Sequence, residues 1–266
     1  MFMVINKSKV VSYFLVFSTV VILFFVSVAM QSNSDVENEI DKNKQTTETV
    51  AGVQKELPIY SVKTEDKKVA LTINCAWNAD DIDKILEVLE KNNVKVTFFM
   101  VGNWVEKYPE AVKKVHDAGH EIGNHSFSHP HVNNLSQQEN ENEILKCSKL
   151  VKAITGEDTN LYRAPYGEYN NTVIKSARNV NHEVIQWSLD TLDYQGLDGN
   201  QMWDRLSHKL SNGSIILMHN GTEHTADSLE LLITNIKNKG YEIVKVSDLI
   251  FDGECEIDSN GVQNKK

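Results

Sequence analysis

The chain has few cysteines, three in 266 residues, and their number and spacing exclude two classes of protein. Cys75, Cys147 and Cys255 are odd in number and far apart, which argues against a disulfide framework and against a cysteine zinc knot. Cys147 falls in a stretch of helical periodicity, so we expect its side chain in the core. Cys255 lies in a polar stretch near the C-terminus, where its thiol could be free.

The chain also lacks an excess of basic residues. Its formal net charge is −10 at pH 7 and its pI is about 5.4. Because phosphate backbones attract cationic surfaces, this acidic balance argues against nonspecific binding to nucleic acid. No internal repeat is visible, and the length leaves room for one ordinary domain with short extensions.

Residues 10–30 form an almost uninterrupted apolar run, long enough to cross a bilayer as a helix. Lys7 and Lys9 precede the run, so we expect the N-terminus to stay in the cytoplasm and the rest of the chain to be exported. Residues 1–30 are therefore predicted to be a membrane anchor. The small residues Ser27 and Ala29 leave open a cleavable signal segment and a secreted protein.

Two further segments are too polar to bury a core. Residues 31–56 contain almost no large apolar side chain and predict a flexible linker. At roughly 5–6 Å times the square root of its length, such a linker spans about 30 Å on average. Residues 253–266 have a similar composition and predict a disordered tail.

The segment between them, residues 57–252, alternates short apolar runs with stretches of helical periodicity. Residues 69–73 predict a buried strand, and residues 82–91 predict a helix because apolar residues recur every three or four positions. Ser136 and Glu139 predict a capping box at the start of a helix that runs to residue 154, and residues 171–179 predict another helix. The alternation continues to a last strand at 241–246. This pattern predicts an α/β fold with a parallel sheet of about seven strands, a distorted (β/α) barrel preceded by a transmembrane helix.

Polar residues suited to metal binding follow Glu121 and Ile122. His125 and His129 are four positions apart within the run His-Ser-Phe-Ser-His, and this spacing lets both imidazoles face one ion. Neutral imidazoles suit zinc, cobalt or nickel, and a carboxylate usually completes such a site. The sequence therefore predicts a divalent metal cofactor, for which zinc is the first candidate.

Three more polar clusters lie downstream, each just after a predicted strand, where active sites form in β/α barrels. They are Arg-Ala-Pro-Tyr-Gly at 163–167, Asp-Thr-Leu-Asp-Tyr at 190–194 and Leu-Met-His-Asn at 217–220. Together with the histidine run, their order and spacing resemble the polysaccharide deacetylases of carbohydrate esterase family 4, the NodB-homology domain. The resemblance covers roughly residues 67–251.

The resemblance implies roles for individual residues. His219 would protonate the leaving amine, Asp193 would orient His219, and Arg163 would pair with the carboxylate that serves as general base. The residues expected to line the substrate groove are Trp77, Tyr166, Tyr194 and Leu217.

One position departs from the family pattern where it matters most. The Thr-Phe-Asp-Asp-Gly type run of the family corresponds to Thr-Ile-Asn-Cys-Ala at 72–76, so Asn74 stands at the base position and Cys75 at the metal-binding Asp. An amide cannot accept the proton of the attacking water, and a positioned base is worth roughly a factor of a hundred to ten thousand in rate. Cys75 could act as a thiolate or soft ligand, or could be a buried core residue.

A carboxylate a few residues after Cys75 is expected to be the third metal ligand. Members of the family from spore-forming bacteria carry Asp-Ala-Ala-Trp in this region and another carboxylate shortly after it, which Ala76–Trp77 and Asp80–Asp81 resemble. Asp81 is the predicted ligand and Asp80 the alternative. Both aspartates could instead cap the following helix.

These observations predict metal-dependent N-deacetylation of an N-acetylated cell-envelope glycan with release of acetate. Peptidoglycan is the natural substrate for a tethered, extracytoplasmic enzyme, which we expect to be a monomer. The alternative, which rests on Asn74, is a catalytically impaired barrel that binds glycan. Deacetylation of a non-glycan amide stays open.

Overall fold

The computed structural model describes residues 55–266. The predicted anchor at 1–30 and all but the last two residues of the predicted linker lie outside the described residues. Within residues 55–266, none of the helices combines the length and the apolar character needed to cross a membrane.

A curled, open parallel sheet forms the centre of the described part. The strands of this sheet are β2 (Lys68–Cys75), β3 (Thr97–Met100), β4 (Glu121–Asn124), β5 (Leu161–Tyr162), β6 (Glu183–Val184), β7 (Leu189–Asp190), β8 (Ile215–His219) and β9 (Glu242–Val244). Their order across the sheet is β6-β5-β4-β3-β2-β8-β7, and β9 pairs with the beginning of β2. Because β6 and β7 do not pair with each other, the sheet is a half-barrel, which confirms the predicted α/β class and parallel pairing.

Eight α-helices of the described residues follow or flank these strands. In chain order they are α1 (Ile82–Lys91), α2 (Gly102–Lys107), α3 (Pro109–Asp117), α4 (Gln137–Thr155), α5 (Asn171–Asn179), α6 (Gly199–Ser207), α7 (Thr225–Asn238) and α8 (Val246–Leu249). The periodicity that predicts α1 is the one that packs it, since Ile82, Ile85 and Leu89 are all buried. Ser136 and Glu139 form the predicted capping box at the start of α4.

Strand β2 lies at the middle of the sheet and sets the register of the functional edge. Asn74, near its end, lies level with Phe99 of β3 on one side and with His219 of β8 on the other. The carboxyl ends of parallel strands meet at one edge, so the polar clusters that follow β2, β4, β5, β7 and β8 are brought together there.

A small second sheet corrects the prediction of a disordered C-terminal tail. Strand β1 (Ser61–Val62) pairs in parallel with β11 (Val262–Lys265), which pairs antiparallel with β10 (Cys255–Ile257). The Gln263 side chain donates to the backbone oxygen of Phe251 and accepts from its nitrogen. Backbone pairing, this amide and the packing of Ile257 against a hydrophobic cluster order the segment, which its polar composition does not indicate.

The segment before β1 also ties the open sheet together. The Ile59 nitrogen donates to the Val184 oxygen, and the Gln186 nitrogen donates to the Ile59 oxygen. A few residues later Val62 donates to the oxygen of Gly213, just before β8. Gly213 has φ = +77°, and a Cβ there would lie 1.7 Å from the Val62 oxygen, so this close approach requires glycine.

Candidate active site

A cleft of about 510 Å³ opens at the carboxyl edge of the sheet. Its walls bring together most of the residues that the sequence predicts for the site. The lining residues are Asn74, Ala76, Trp77, His125, His129, Ala164, Tyr166, Gly167, Trp187, Asp190, Tyr194, Leu217 and His219. Two predicted site residues, Arg163 and Asp193, are fully buried and directly contact the lining residues.

His219 and Asp193 form the predicted pair at one end of the cleft. The Nδ1 of His219 lies 2.9 Å from Oδ1 of Asp193, and the backbone nitrogen of His219 donates to Oδ2 at 2.6 Å. Tyr194 N and Thr225 Oγ1 donate to the same carboxylate. Because a carboxylate oxygen can only accept a hydrogen bond, Nδ1 of His219 carries the proton when the ring is neutral. Nε2 is then the nitrogen that can exchange a proton with a ligand.

Two aromatic rings enclose His219. Trp77 lies 5.2 Å and Tyr194 5.3 Å from its ring, centroid to centroid. Both side chains are about half exposed, so each ring keeps an open face towards the cleft. The predicted groove residue Leu217 is buried and contributes to the floor.

His125 and His129 converge at the other end, with ring centroids 4.9 Å apart. His125 is 3% exposed, and its burial, with the nearby His129 as a smaller cause, holds its pKa well below the usual value. Burial also lowers the pKa of His129. Both imidazoles are therefore neutral at pH 7, which leaves each ring one nitrogen lone pair.

Arg163 and Asn74 lie between these two ends. The guanidinium donates through Nη1 to Oδ1 of Asn74 at 3.0 Å and to Oγ1 of Thr72 at 2.8 Å. No carboxylate forms an ion pair with Arg163 among the residues that the structure describes. Burial lowers the pKa of Arg163 to about 9, and the carboxylate of Asp190 opposes that fall, so the side chain is still a cation at pH 7.

The predicted third metal ligand requires a correction. Among the described residues, Asp81 does not join His125 and His129 in a group that could hold one ion. Its carboxylate accepts from Gly221 N at 2.7 Å and from Asn220 Nδ2 at 3.2 Å. Asp81 occupies the N-cap position of α1 but makes no capping hydrogen bond with its side chain. Its role is to attach the loop after β8 to the start of α1.

Cys75 is a core residue, not a ligand or a base. Its side chain is fully buried in the main hydrophobic cluster, and burial, reinforced by the charge of Asp81, raises the pKa of its thiol well above the usual value. Across residues 55–266, no three His, Cys, Asp or Glu side chains lie close enough to hold one ion. Two imidazoles without a carboxylate do not complete the metal site that the resemblance implies, and metal binding by His125 and His129 stays a prediction.

Backbone strain is concentrated around the cleft. Among the described non-glycine residues, six have a left-handed φ, and four of these belong to the site segments: Ser126 (67°), His129 (58°), Tyr166 (59°) and Leu192 (55°). Such conformations cost of order 1–3 kcal/mol each and persist where surrounding contacts enforce them. Their clustering marks the cleft as the functional region of the domain.

Glu143 of α4 is a site residue that no motif or spacing in the sequence indicates. Its carboxylate accepts from the hydroxyl of Ser126, the nitrogen of Phe127, and both the nitrogen and the hydroxyl of Ser128, at 2.6–3.0 Å. These three residues form the strained loop between His125 and His129. Glu143 therefore holds the loop that makes the two imidazoles converge, through contacts that no spacing in the sequence reveals.

We predict that Glu143→Ala lowers the free energy of unfolding by about 1–3 kcal/mol, because it leaves the Phe127 and Ser128 amides without their acceptor. Glu143→Gln keeps one acceptor oxygen and should lose less. Glu141→Ala, on the same helix but bonded to Asn179, is the matched control. Urea unfolding of the variants measures the effect, and an equal loss in the Glu141 variant would show that Glu143 has no special part in the loop.

Comparison with known proteins agrees with the fold and identifies the family. The sequence profile of the polysaccharide deacetylase family matches residues 61–185. YlxY of Bacillus subtilis, an uncharacterized protein, is 37% identical over 193 residues, 73% of this chain and 60% of YlxY. A peptidoglycan-N-acetylglucosamine deacetylase of Bacillus cereus is 32% identical over 201 residues, 74% of this chain and 73% of that enzyme. The matched region thus covers less than two thirds of the length of YlxY and more than two thirds of the length of the Bacillus cereus enzyme.

Solved structures give the same family. BA3943 of Bacillus anthracis, a pseudoenzyme of carbohydrate esterase family 4, has a TM-score of 0.70 at 34% identity over 72% of this chain and 68% of that chain. A BA3943 mutant with restored enzymatic activity also has a TM-score of 0.70 at 34% identity, over 72% and 70% of the two chains. On its fold, its motifs and these likenesses, the chain belongs to the polysaccharide deacetylases of carbohydrate esterase family 4.

Proposed function

We propose that this protein binds the N-acetylated glycan of cell-wall peptidoglycan in its cleft and that Asn74 impairs hydrolysis of the bound acetamide. The observation that carries the proposal is that an asparagine, Asn74, occupies the position of the base and is hydrogen-bonded to Arg163. Its side-chain oxygen is committed to Arg163 at 3.0 Å. The aromatic walls of the cleft and the pair of His219 and Asp193 are in place, so recognition of a glycan does not depend on Asn74.

The aromatic surface supports a sugar as the ligand. Four large apolar side chains are exposed among the described residues, and three of them, Trp77, Tyr166 and Tyr194, line this cleft. Tyr166 is held between His129 and His131, at ring-centroid distances of 4.5 and 4.4 Å. Open aromatic faces fixed in this way suit the apolar C–H faces of pyranose rings.

The charges in the cleft favour an acetamido group over a free amine. Arg163 is a buried cation beside Asn74, and His125 and His129 are neutral, so the inner wall carries no negative charge that could balance an ammonium group. Asp190 is the one carboxylate among the lining residues, and burial raises its pKa. The N-acetylated strand, the substrate of the deacetylase relative, is therefore the expected ligand.

Hydrolysis of an acetamide needs a group that removes a proton from the attacking water and a group that protonates the departing nitrogen. His219, oriented by Asp193, meets the second need. Asn74 cannot meet the first, because its amide accepts no proton at neutral pH. The family chemistry is thus interrupted at the step that needs a base.

We further propose that the protein works as a monomer outside the cytoplasm, tethered through residues 1–30, with secretion as the alternative. The apolar run and its preceding lysines support this placement. A tether of about 30 Å would keep the cleft within reach of nearby wall strands only.

A binding experiment tests the proposal. Trp77→Ala should weaken binding to N-acetylated peptidoglycan fragments roughly tenfold or more, because it removes an open aromatic wall of the cleft. The matched control is Leu145→Ala, since Leu145 is also exposed and apolar but does not line the cleft. Calorimetric titration of both variants and the wild type measures the effect. Equal affinity in all three proteins would contradict the proposal.

A second candidate function is deacetylation at a lower rate than a carboxylate at position 74 would support. The intact pair of His219 and Asp193 favours it. If the wild-type chain turns over N-acetylated peptidoglycan, His219→Ala should cut acetate release by roughly a hundredfold or more while leaving glycan affinity nearly unchanged. Chemical assay of acetate measures this. Release that survives the substitution would remove His219 from the assigned role.

A further inference from the structure

Three residues of the cleft are joined by a closed ring of hydrogen bonds. The Arg163 guanidinium donates from Nη1 to Oδ1 of Asn74 at 3.0 Å. The Nδ2 of Asn74 lies 3.3 Å from Nε2 of His125. The Nδ1 of His125 lies 2.7 Å from the backbone oxygen of Arg163, which returns the ring to the residue where it begins.

The direction of every bond in the ring is fixed by its chemistry. A guanidinium only donates, so the atom of Asn74 that faces it must be the amide oxygen, and the amide nitrogen must face His125. A backbone oxygen only accepts, so Nδ1 of His125 must carry the ring proton. An amide nitrogen only donates, so Nε2 of His125 must be the unprotonated ring nitrogen whose lone pair accepts from Asn74.

We infer that Asn74 organises His125 without a metal ion, because its amide nitrogen donates to the Nε2 lone pair that a metal would need. The departure at position 74 then does more than remove a base. It supplies a proton donor that competes with a metal for one of the two imidazoles, in a chain where Asp81 and Cys75 both face elsewhere.

An aspartate at this position would act in the opposite sense on both neighbours. An ionised carboxylate only accepts, so it could pair with Arg163 but could not donate to Nε2 of His125. The lone pair would be left free. The ring stands on hydrogen bonds alone and holds whether or not a glycan binds, so failure of the ring and failure of the proposed function are separate results.

The first test reads the ring in the wild-type chain and needs no substitution. In the purified full-length protein with ¹⁵N-labelled histidine and no added metal, the ring nitrogens of His125 are assigned by comparison with His125→Ala. The ring predicts a proton on Nδ1 and an unprotonated Nε2 at pH 7. A proton on Nε2 would overturn it, because Asn74 could not then donate to that atom.

The second test measures competition with zinc by calorimetric titration of the wild type, Asn74→Ala and Asn74→Asp. Removing the donor should raise zinc affinity about threefold to tenfold in Asn74→Ala, the usual worth of one hydrogen bond, although no carboxylate is added. Asn74→Asp should exceed that. The gain in Asn74→Ala should disappear in the double variant with His125→Ala.

Asn140→Ala is the matched control for loss of a buried amide, since Asn140 bonds to backbone oxygens of residues 132–136 away from the cleft. Its zinc affinity should equal that of the wild type. Unchanged or weaker zinc binding in a folded Asn74→Ala protein would overturn the competition, and would leave the missing carboxylate as the sole cause of weak binding. If Asn74→Ala does not fold, the protonation state of His125 decides the matter.

Discussion

The cleft is built around one buried charge, the guanidinium of Arg163. It is completely removed from solvent, yet no carboxylate among the described residues pairs with it. Burying an unpaired cation is costly, so each of its donors needs an acceptor. The acceptors are the side chains of Thr72 and Asn74 and the backbone oxygens of Ile185 and Gln186, and the guanidinium also lies 4.1 Å from the centre of the Phe99 ring.

This constraint fixes the orientation of Asn74 and, through it, the state of His125. Because Arg163 takes the amide oxygen, the amide nitrogen is directed at the imidazole. The two ends of the cleft therefore carry different chemical groups. At one end the pair of His219 and Asp193 keeps the geometry of a general acid. At the other, the position of the base carboxylate holds a neutral amide that links a cation to a neutral ring.

Local signals in the sequence predicted local structure well. Helix α5 has the predicted bounds of Asn171–Asn179, and α4 starts at the predicted capping box, because both depend on residues within one turn. The strand-end clusters also met at one edge, as parallel pairing requires. These features follow from periodicity and topology and need no long-range detail.

The errors all concern contacts between distant segments. The carboxylate of Asp81 bonds to Gly221, and that of Glu143 bonds to the loop at 126–128; neither contact leaves a trace in sequence spacing. The tail at 253–266 is ordered by pairing with β1, about two hundred residues earlier, although its own composition is polar. Hydrogen bonds between a side chain and a backbone group far away in the sequence cannot be predicted from local spacing.

The central claim is that the amide at position 74 interrupts the base step of hydrolysis in a cleft where Arg163, Asp193 and His219 are in place. Acetate release from N-acetylated peptidoglycan by the wild type and by Asn74→Asp measures it most directly, with zinc present in both assays. Arg163 would keep the new carboxylate ionised and able to accept a proton. We expect turnover to rise by roughly two to four powers of ten in Asn74→Asp, the usual worth of a positioned base. A wild-type rate equal to that of the variant would contradict the claim.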